Sequence, residues 1–168
     1  MNPLCIIGSH PDVLKDVESL PKAEWDCMAI GLDAVDKYLE HILYVATFHP
    51  VEIPAIRERR RSAGGNVDYR MVSHESHPEA DIIIRDWWRP SGSSALLGTQ
   101  AALRIGYSRI VLCGCPMTGQ NSHGSKYDSF QSGWKAHQQE VAPFVRSMSG
   151  WTADYLGKPT AEWLRGDE

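Results

Sequence analysis

Residues 91–114 constrain the fold more than any other stretch. They open Ser91-Gly92-Ser93-Ser94, run through an Ala- and Leu-rich segment to Gly106-Tyr107, and close on Arg109-Ile110-Val111-Leu112-Cys113-Gly114. Leu96, Leu97, Ala101, Leu103 and Ile105 supply the larger apolar surface, and Ala95 and Ala102 allow close packing, which predicts a helix. Ser93 or Ser94 can cap its first turn, and Gly106 can end it. Residues 110–113 are apolar and partly β-branched, the pattern of a buried strand. A helix running into a buried strand is half of an α/β unit. The Ser-Gly-Ser-Ser turn also leaves backbone N–H groups and hydroxyls at a positive helix end, where a phosphate can sit. The same residues serve as a plain cap, and caps outnumber anion sites.

The rest of the chain repeats this alternation. Strands are expected at 3–7, 25–30, 42–48, 67–72 and 110–113, with an edge strand at 145–148 and either a strand or a buried turn at 81–86. Helices are expected at 12–20, from Asp33 through Val35, Tyr38 and Leu39, at 54–62, at 134–144, and before Gly157. Trp163 is expected to pack the tail. Residues 115–133 contain Gly119, Gly124 and Gly133 among polar residues, and a connection this long is expected to be a functional lid. The order predicts one α/β domain over residues 1–168, an open and mainly parallel sheet with helices on both faces.

Ligands of such sheets bind beyond the carboxyl ends of the strands. That rule selects Gly8, Ser9 and His10 after the first strand, Gly31 and Asp33 after the second, His49 after the third, and Gly114 and Thr118 after residue 113. Ser91, Gly92 and Ser93 join them at the start of the central helix.

Composition narrows the partners. The 168 residues carry a formal net charge of -4, so bulk attraction to nucleic acid or to acidic membranes is not expected. Arg57, Arg59, Arg60 and Arg61 read as the solvated end of a helix. No apolar run is long enough to span a bilayer and the N-terminus lacks a secretory pattern, so a cytoplasmic location is expected. Cys5, Cys27 and Cys113 lie in apolar runs and read as buried thiols; Cys113 and Cys115 form a lone C-x-C without a second ligand pair.

Three pieces stand out together: Ile6-Ile7-Gly8-Ser9-His10-Pro11, Phe48-His49-Pro50, and Ser91-Gly92 with Gly106-Tyr107 and residues 110–114. They resemble the bacterial sialyltransferases with a Rossmann-like nucleotide domain. They also resemble the related domains of flagellar glycosylation accessory proteins and hydroxymethylpterin pyrophosphokinases. The final segment, Val145-Arg-Ser-Met-Ser-Gly150 with Gly157-Lys-Pro159, is similar to small phage-encoded proteins of this fold. The resemblance implies a Rossmann-like fold and a nucleotide or nucleotide-sugar ligand held by Gly8, Ser9, Ser91 and Gly92. It also implies glycosyltransferase-like or pyrophosphoryl transferase-like chemistry. Where the sialyltransferases carry Asn in the first three turns, this chain has Ser9 or His10, Gly31 and His49. Their tyrosines after the signature strand have a counterpart only in Tyr127, further along the loop.

For acid–base chemistry the candidates are His49 and His123, the latter in a loop with Lys126, Tyr127 and Asp128. His74-Glu75-Ser76-His77 has a spacing that can hold a metal, with Glu75 or Asp81 added, but such polar clusters are more often solvated and no metal is expected. Arg85 or Arg89 can neutralise a diphosphate or pair with Asp81 or Asp86, and Trp87 or Trp88 can stack on a base. The sequence identifies no cofactor. It leaves open a nucleotide-dependent transferase, a non-catalytic nucleotide-binding module, and an interaction protein that keeps only the fold.

Overall fold

In the computed structural model, residues 1–91, 93–119 and 127–166 are described. Seven strands form one wholly parallel sheet: β1 (Leu4–Ile7), β2 (Asp26–Ile30), β3 (Tyr44–Thr47), β4 (Arg70–Ser73), β5 (Ile82–Ile83), β6 (Ile110–Cys113) and β7 (Val145–Ser147), in the order β5-β4-β3-β2-β1-β6-β7. Leu4 stands in register with Asp26 on one side and Ile110 on the other. The chain therefore builds outward from β1 to β5, crosses back, and adds β6 and β7 on the other side of β1. This is a Rossmann-like fold, with its reversal of strand order between β1 and β6.

The crossing element is α3 (Ser94–Ile105). It is capped by Ser93, whose Oγ accepts from the Leu96 N–H at 3.4 Å, and it ends at Gly106 with φ 111°. Leu96, Leu97, Ala101 and Ala102 bury one helix face against Leu4, Ile6, Met28, Ala46 and Leu112. Gly98 lets helix and sheet meet closely, since a Cβ there would lie 2.9 Å from the Met28 sulfur. The opposite sheet face carries Cys5, Ile7, Cys27, Ala29, Val45 and Met71. It is covered by α1 (Val13–Glu18), by α2 (Ile53–Ser62) and by Trp163 of α7 (Ala161–Arg165). All four cysteines are free and buried. No described helix is long and apolar enough to cross a membrane.

Two expectations from the sequence fail here, and both failures share one cause. Residues after Asp33 form turns rather than a helix. Arg60, expected on a solvated helix end, is fully buried. Its guanidinium donates to the carbonyls of Val35, Tyr38 and Glu40 at 2.8, 2.6 and 2.7 Å, and to Asn66 O and Oδ1 at 3.0 and 2.9 Å. Carbonyls turned toward Arg60 do not form a helical ladder, and a buried cation demands this many acceptors. The other three arginines do pair at or near the surface, with Glu79, with Asp33 and Asp36, and with Glu58.

A third correction lies after β6. α4 (Asp128–Ala136) begins inside the segment read as irregular, and α5 (Gln138–Val141) follows before β7. Gly133 is a buried helical residue rather than a loop breaker. A Cβ there would stand 2.7 Å from both the Pro90 carbonyl oxygen and the Ser91 Cβ, so the missing side chain lets α4 pack on the turn before α3. α6 (Gly150–Leu156) then leads to α7.

Candidate functional site

The turns after β1, β2 and β3, the start of α3, and Met117, Tyr127 and Phe130 enclose a cleft of about 410 Å³. Ser9 comes from the first turn and Gly31, Leu32 and Asp33 from the second; His49 and Glu52 come from the third. Ser93, Ser94 and Ala95 form one end, and Met117, Tyr127 and Phe130 another wall.

Each wall is fixed by short-range chemistry. Ser91 Oγ accepts from the Ser93 N–H at 3.0 Å, and Ser94 Oγ accepts from the Phe48 N–H at 3.0 Å. The second bond ties the start of α3 to the end of β3. The amides of Ser94 and Ala95 are then first-turn donors, of the kind a helix leaves without an internal acceptor. Gly31 has φ 71°, and its N–H donates to the Ala46 carbonyl at 2.8 Å. A Cβ at Gly31 would meet only Ser94 Oγ, at 4.0 Å. The β2 turn and the start of α3 therefore stand opposite each other.

Asp33 is held by Arg59 of α2, whose Nη1 donates to Oδ1 at 3.2 Å while its Nε binds Asp36 Oδ2 at 2.8 Å. The His49 N–H donates to Thr47 Oγ1 at 3.0 Å, and the Glu52 N–H to the His49 carbonyl at 2.9 Å. That 3-10 turn, Pro50–Glu52, sets His49 and Glu52 on the same wall. Across the cleft, Ser9 Oγ and Tyr127 OH share a contact of 3.4 Å. Met117 is buried at φ 51°, a strained backbone for a residue with a side chain. Its carbonyl accepts from Gln131 Nε2 at 2.9 Å, so α4 holds the strained turn in place.

The sequence-selected residues therefore divide. Ser9, Gly31, Asp33, His49, Ser93 and Tyr127 line the cleft, whereas Gly8, His10, Ser91, Gly114 and Thr118 do not. Gly8 and Gly114 lie below it: the Gly8 N–H donates to the Cys113 carbonyl at 2.8 Å, and a Cβ on Gly114 would strike Val13 at 2.6 Å. His10 turns back, with Nδ1 accepting from the Asp12 N–H at 3.2 Å. Thr118 is exposed. Gly92 and His123 fall outside the described residues, as does the middle of the expected lid.

Sequence reasoning missed Glu52, Met117 and Phe130. Glu52 carried a legible signal, an acidic residue one turn after His49-Pro50. It also missed Asp16, a buried carboxylate whose Oδ2 accepts from the Gly114 N–H at 2.8 Å and from Ser149 Oγ at 2.7 Å. Asp16 thus fixes the turn after β6 from beneath. Beside it the Cys115 thiol is pushed up by burial and stays neutral.

The charge of the lining is asymmetric. Its described ionic residues are Asp33 and Glu52; no described Lys or Arg lines it. Arg85 reaches Ser76 Oγ at 3.4 Å, and Arg89 lies 4.4 Å over the Trp87 ring; the pairings expected for them are taken by others, since Arg104 binds Asp86 and the Met71 N–H binds Asp81. Trp87 packs edge-on to Phe48 and His74, and Trp88 stacks on His137. His74 stacks on Phe48 at 4.1 Å, and His77 Nδ1 accepts from the Glu79 N–H at 3.2 Å. Among the described residues, no group of three or more His, Cys, Asp or Glu is placed to hold a metal ion.

No protein-family model matches the chain, and no curated protein matches its sequence. Solved structures do match its fold. The sialyltransferase CstII from Campylobacter jejuni with cytidine-5'-monophosphate aligns with TM-score 0.63 at 12% identity, over 95% of this chain and 86% of that one. The same enzyme with CMP-3FNeuAc aligns with TM-score 0.61 at 12% identity, over 95% and 89%. CST-II with a trisaccharide acceptor and CMP aligns with TM-score 0.65 at 11% identity, over 94% and 86%. The chain thus has a sialyltransferase-like fold.

Proposed function

We propose that the cleft binds a nucleoside monophosphate or its sugar ester and that the protein is a glycosyltransferase-like enzyme. One observation carries the reading. The first amides of α3, a twelve-residue helix, meet the turns after β1, β2 and β3 in one cleft at the carboxyl edge of the sheet. An anion is stabilised at such a helix start by the donors and the dipole together. The described lining adds two carboxylates and no cation, which favours the smaller charge of a monophosphate or its ester over a diphosphate or triphosphate. Cytidine monophosphate is the first ligand to test, since the CstII structures contain it or its sugar derivative.

In the transfer step, an acceptor hydroxyl attacks the anomeric carbon of the bound sugar. The new oxygen–carbon bond forms as the bond from that carbon to the phosphate oxygen breaks. His49 takes the hydroxyl proton, and the α3 amides stabilise the leaving phosphate. A binding module without turnover is the second reading, and a specific feature favours it. By the sequence resemblance, Ser9 or His10, Gly31 and His49 take the places where the sialyltransferases carry Asn. The test has two arms: a thermal-shift titration with cytidine monophosphate, and release of that nucleotide from CMP-activated sialic acid. Stabilisation with release supports the transferase, stabilisation without release supports the module, and neither overturns both.

A further inference from the structure

We infer that a second cleft, on the sheet face opposite α3, binds a small aromatic carboxylate. The ring lies against Trp25 and Leu20 over the thiols of Cys5 and Cys27, and the carboxylate pairs with Lys22. The inference concerns other residues than the nucleotide reading and does not depend on it.

The cleft opens where α1 stops. That helix ends at Glu18 after six residues, and residues 19–25 return to β2 without regular structure. Cys5 and Cys27 stand in register on β1 and β2, so the sheet face carries two small side chains side by side. The space left is about 200 Å³, lined by both thiols and by Val17, Leu20 and Trp25 among others. An apolar cavity of about 150 Å³ takes up benzene, so this volume suits one ring with a short acidic arm.

The walls are set in advance. Trp25 Nε1 donates to the Pro21 carbonyl at 3.2 Å, and the Tyr38 hydroxyl is hydrogen-bonded to Cys27. Burial holds the Cys27 thiol neutral. These polar groups already have partners, so the body of a ligand that fits here is apolar. Trp25 and Tyr38 offer ring contacts and the sulfurs offer polarizable ones, which favours an aromatic body over a saturated one.

Charge fixes the remaining end. Among the described lining residues Lys22 alone is charged. It is exposed, and it joins no ion pair among the described residues. One ammonium at the rim of an apolar cleft complements one negative charge. A carboxylate supplies that charge in the least volume.

The experiment follows backbone-amide chemical shifts during titration with phenylacetate, phenethyl alcohol and cyclohexylacetate. The alcohol keeps the ring without the charge, and cyclohexylacetate keeps the charge without the aromatic ring. The unmodified protein is compared with Lys22→Gln and Cys27→Met. Phenylacetate should shift Lys22, Ala23, Cys27 and Tyr38 saturably with a Kd of about 1 mM or tighter, within reach of a ligand of about ten heavy atoms. Phenethyl alcohol should bind about twofold to fivefold more weakly, the range of an exposed ion pair, and Lys22→Gln should remove that difference. Cyclohexylacetate should bind at least about twofold more weakly than phenylacetate. Cys27→Met fills the floor of the cleft and should abolish saturation; Lys22 is exposed, so Lys22→Gln keeps the test decisive if Cys27→Met does not fold. The inference is overturned by no saturable shift at these residues, or by shifts confined to Ser94 and Ala95 at the other cleft. Equal affinity of phenylacetate with either analogue also overturns it, as does an unchanged difference in Lys22→Gln or full binding by folded Cys27→Met.

Discussion

Gly8 and Gly114 face each other at the carboxyl ends of β1 and β6 so closely that a Cβ on Gly8 would stand 2.1 Å from the Gly114 carbonyl oxygen. The same atom would be 2.6 Å from the Cys115 sulfur. These glycines let two strand ends and their turns close beneath the cleft, at the point where strand order reverses. Gly8→Ala should therefore destabilise the protein by about 2 kcal/mol or more, because backbone must move to admit the methyl group. Urea melts measure this. A Gly8→Ala protein that melts like the unmodified chain but fails to bind cytidine monophosphate would assign Gly8 to ligand contact instead.

Gly31 tells the opposite story. Its φ of 71° is a left-handed conformation that Asn adopts at small cost, and its Cβ position is open toward the cleft. Gly31→Asn should stay folded, within about 1 kcal/mol of the unmodified protein, while Gly31→Val should lose more than that, because a β-branched residue is strained there. Thermal melts of the two variants give the comparison. Equal loss in both would mean that φ is not what selects glycine at this turn.

The buried Arg60 organises the turn that carries Asp33. Arg60→Met leaves the Val35, Tyr38, Glu40 and Asn66 carbonyls without their donor, and each such buried group costs about 1–3 kcal/mol. Stability should fall by at least about 3 kcal/mol in urea. A fall below about 1 kcal/mol would mean that water replaces the guanidinium freely.

How far the sequence revealed this architecture depends on the range of the interaction. The Ser93 cap, the run of α3 and the strand at Ile110–Cys113 are local patterns, and they were legible. The missing helix after Asp33 was not, because its cause is Arg60, more than twenty residues away. The solvated reading of Arg60 failed for the same reason: four adjacent-looking arginines differ only in what folds over them. α4 was hidden by Gly133, whose composition signal is a loop but whose role is close packing on Ser91. Turn glycines and polar residues in the sequence pointed to the carboxyl edge of the sheet, where the cleft opens. Which of them line the cleft was decided by contacts between turns, such as Ser94 with Phe48.

The thiols make the protein sensitive to alkali. Burial pushes Cys27 up to about 11, burial also raises Cys115, and the hydrogen bond to Cys113 with burial raises Cys5. A raised folded-state pKa means that the folded state keeps protons the unfolded state releases above about pH 8.5. Stability is thus full below that pH and falls as pH rises toward 11, by about 1.4 kcal/mol per pH unit for each such thiol. Urea melts at pH 8, 9 and 10 should show a steep decline, and Cys27→Ala should make it shallower. Melts that do not change over this range would contradict the buried, neutral state of these thiols.

Mapping backbone-amide chemical shifts during a titration with cytidine monophosphate is the most direct test of the cleft itself. The account predicts saturable shifts that are largest at Gly31, Leu32, Asp33, Ser94 and Ala95, with β5 and β7 little affected. No saturable shift, or shifts gathered around Arg109 and Arg165 at the far tail, would contradict it.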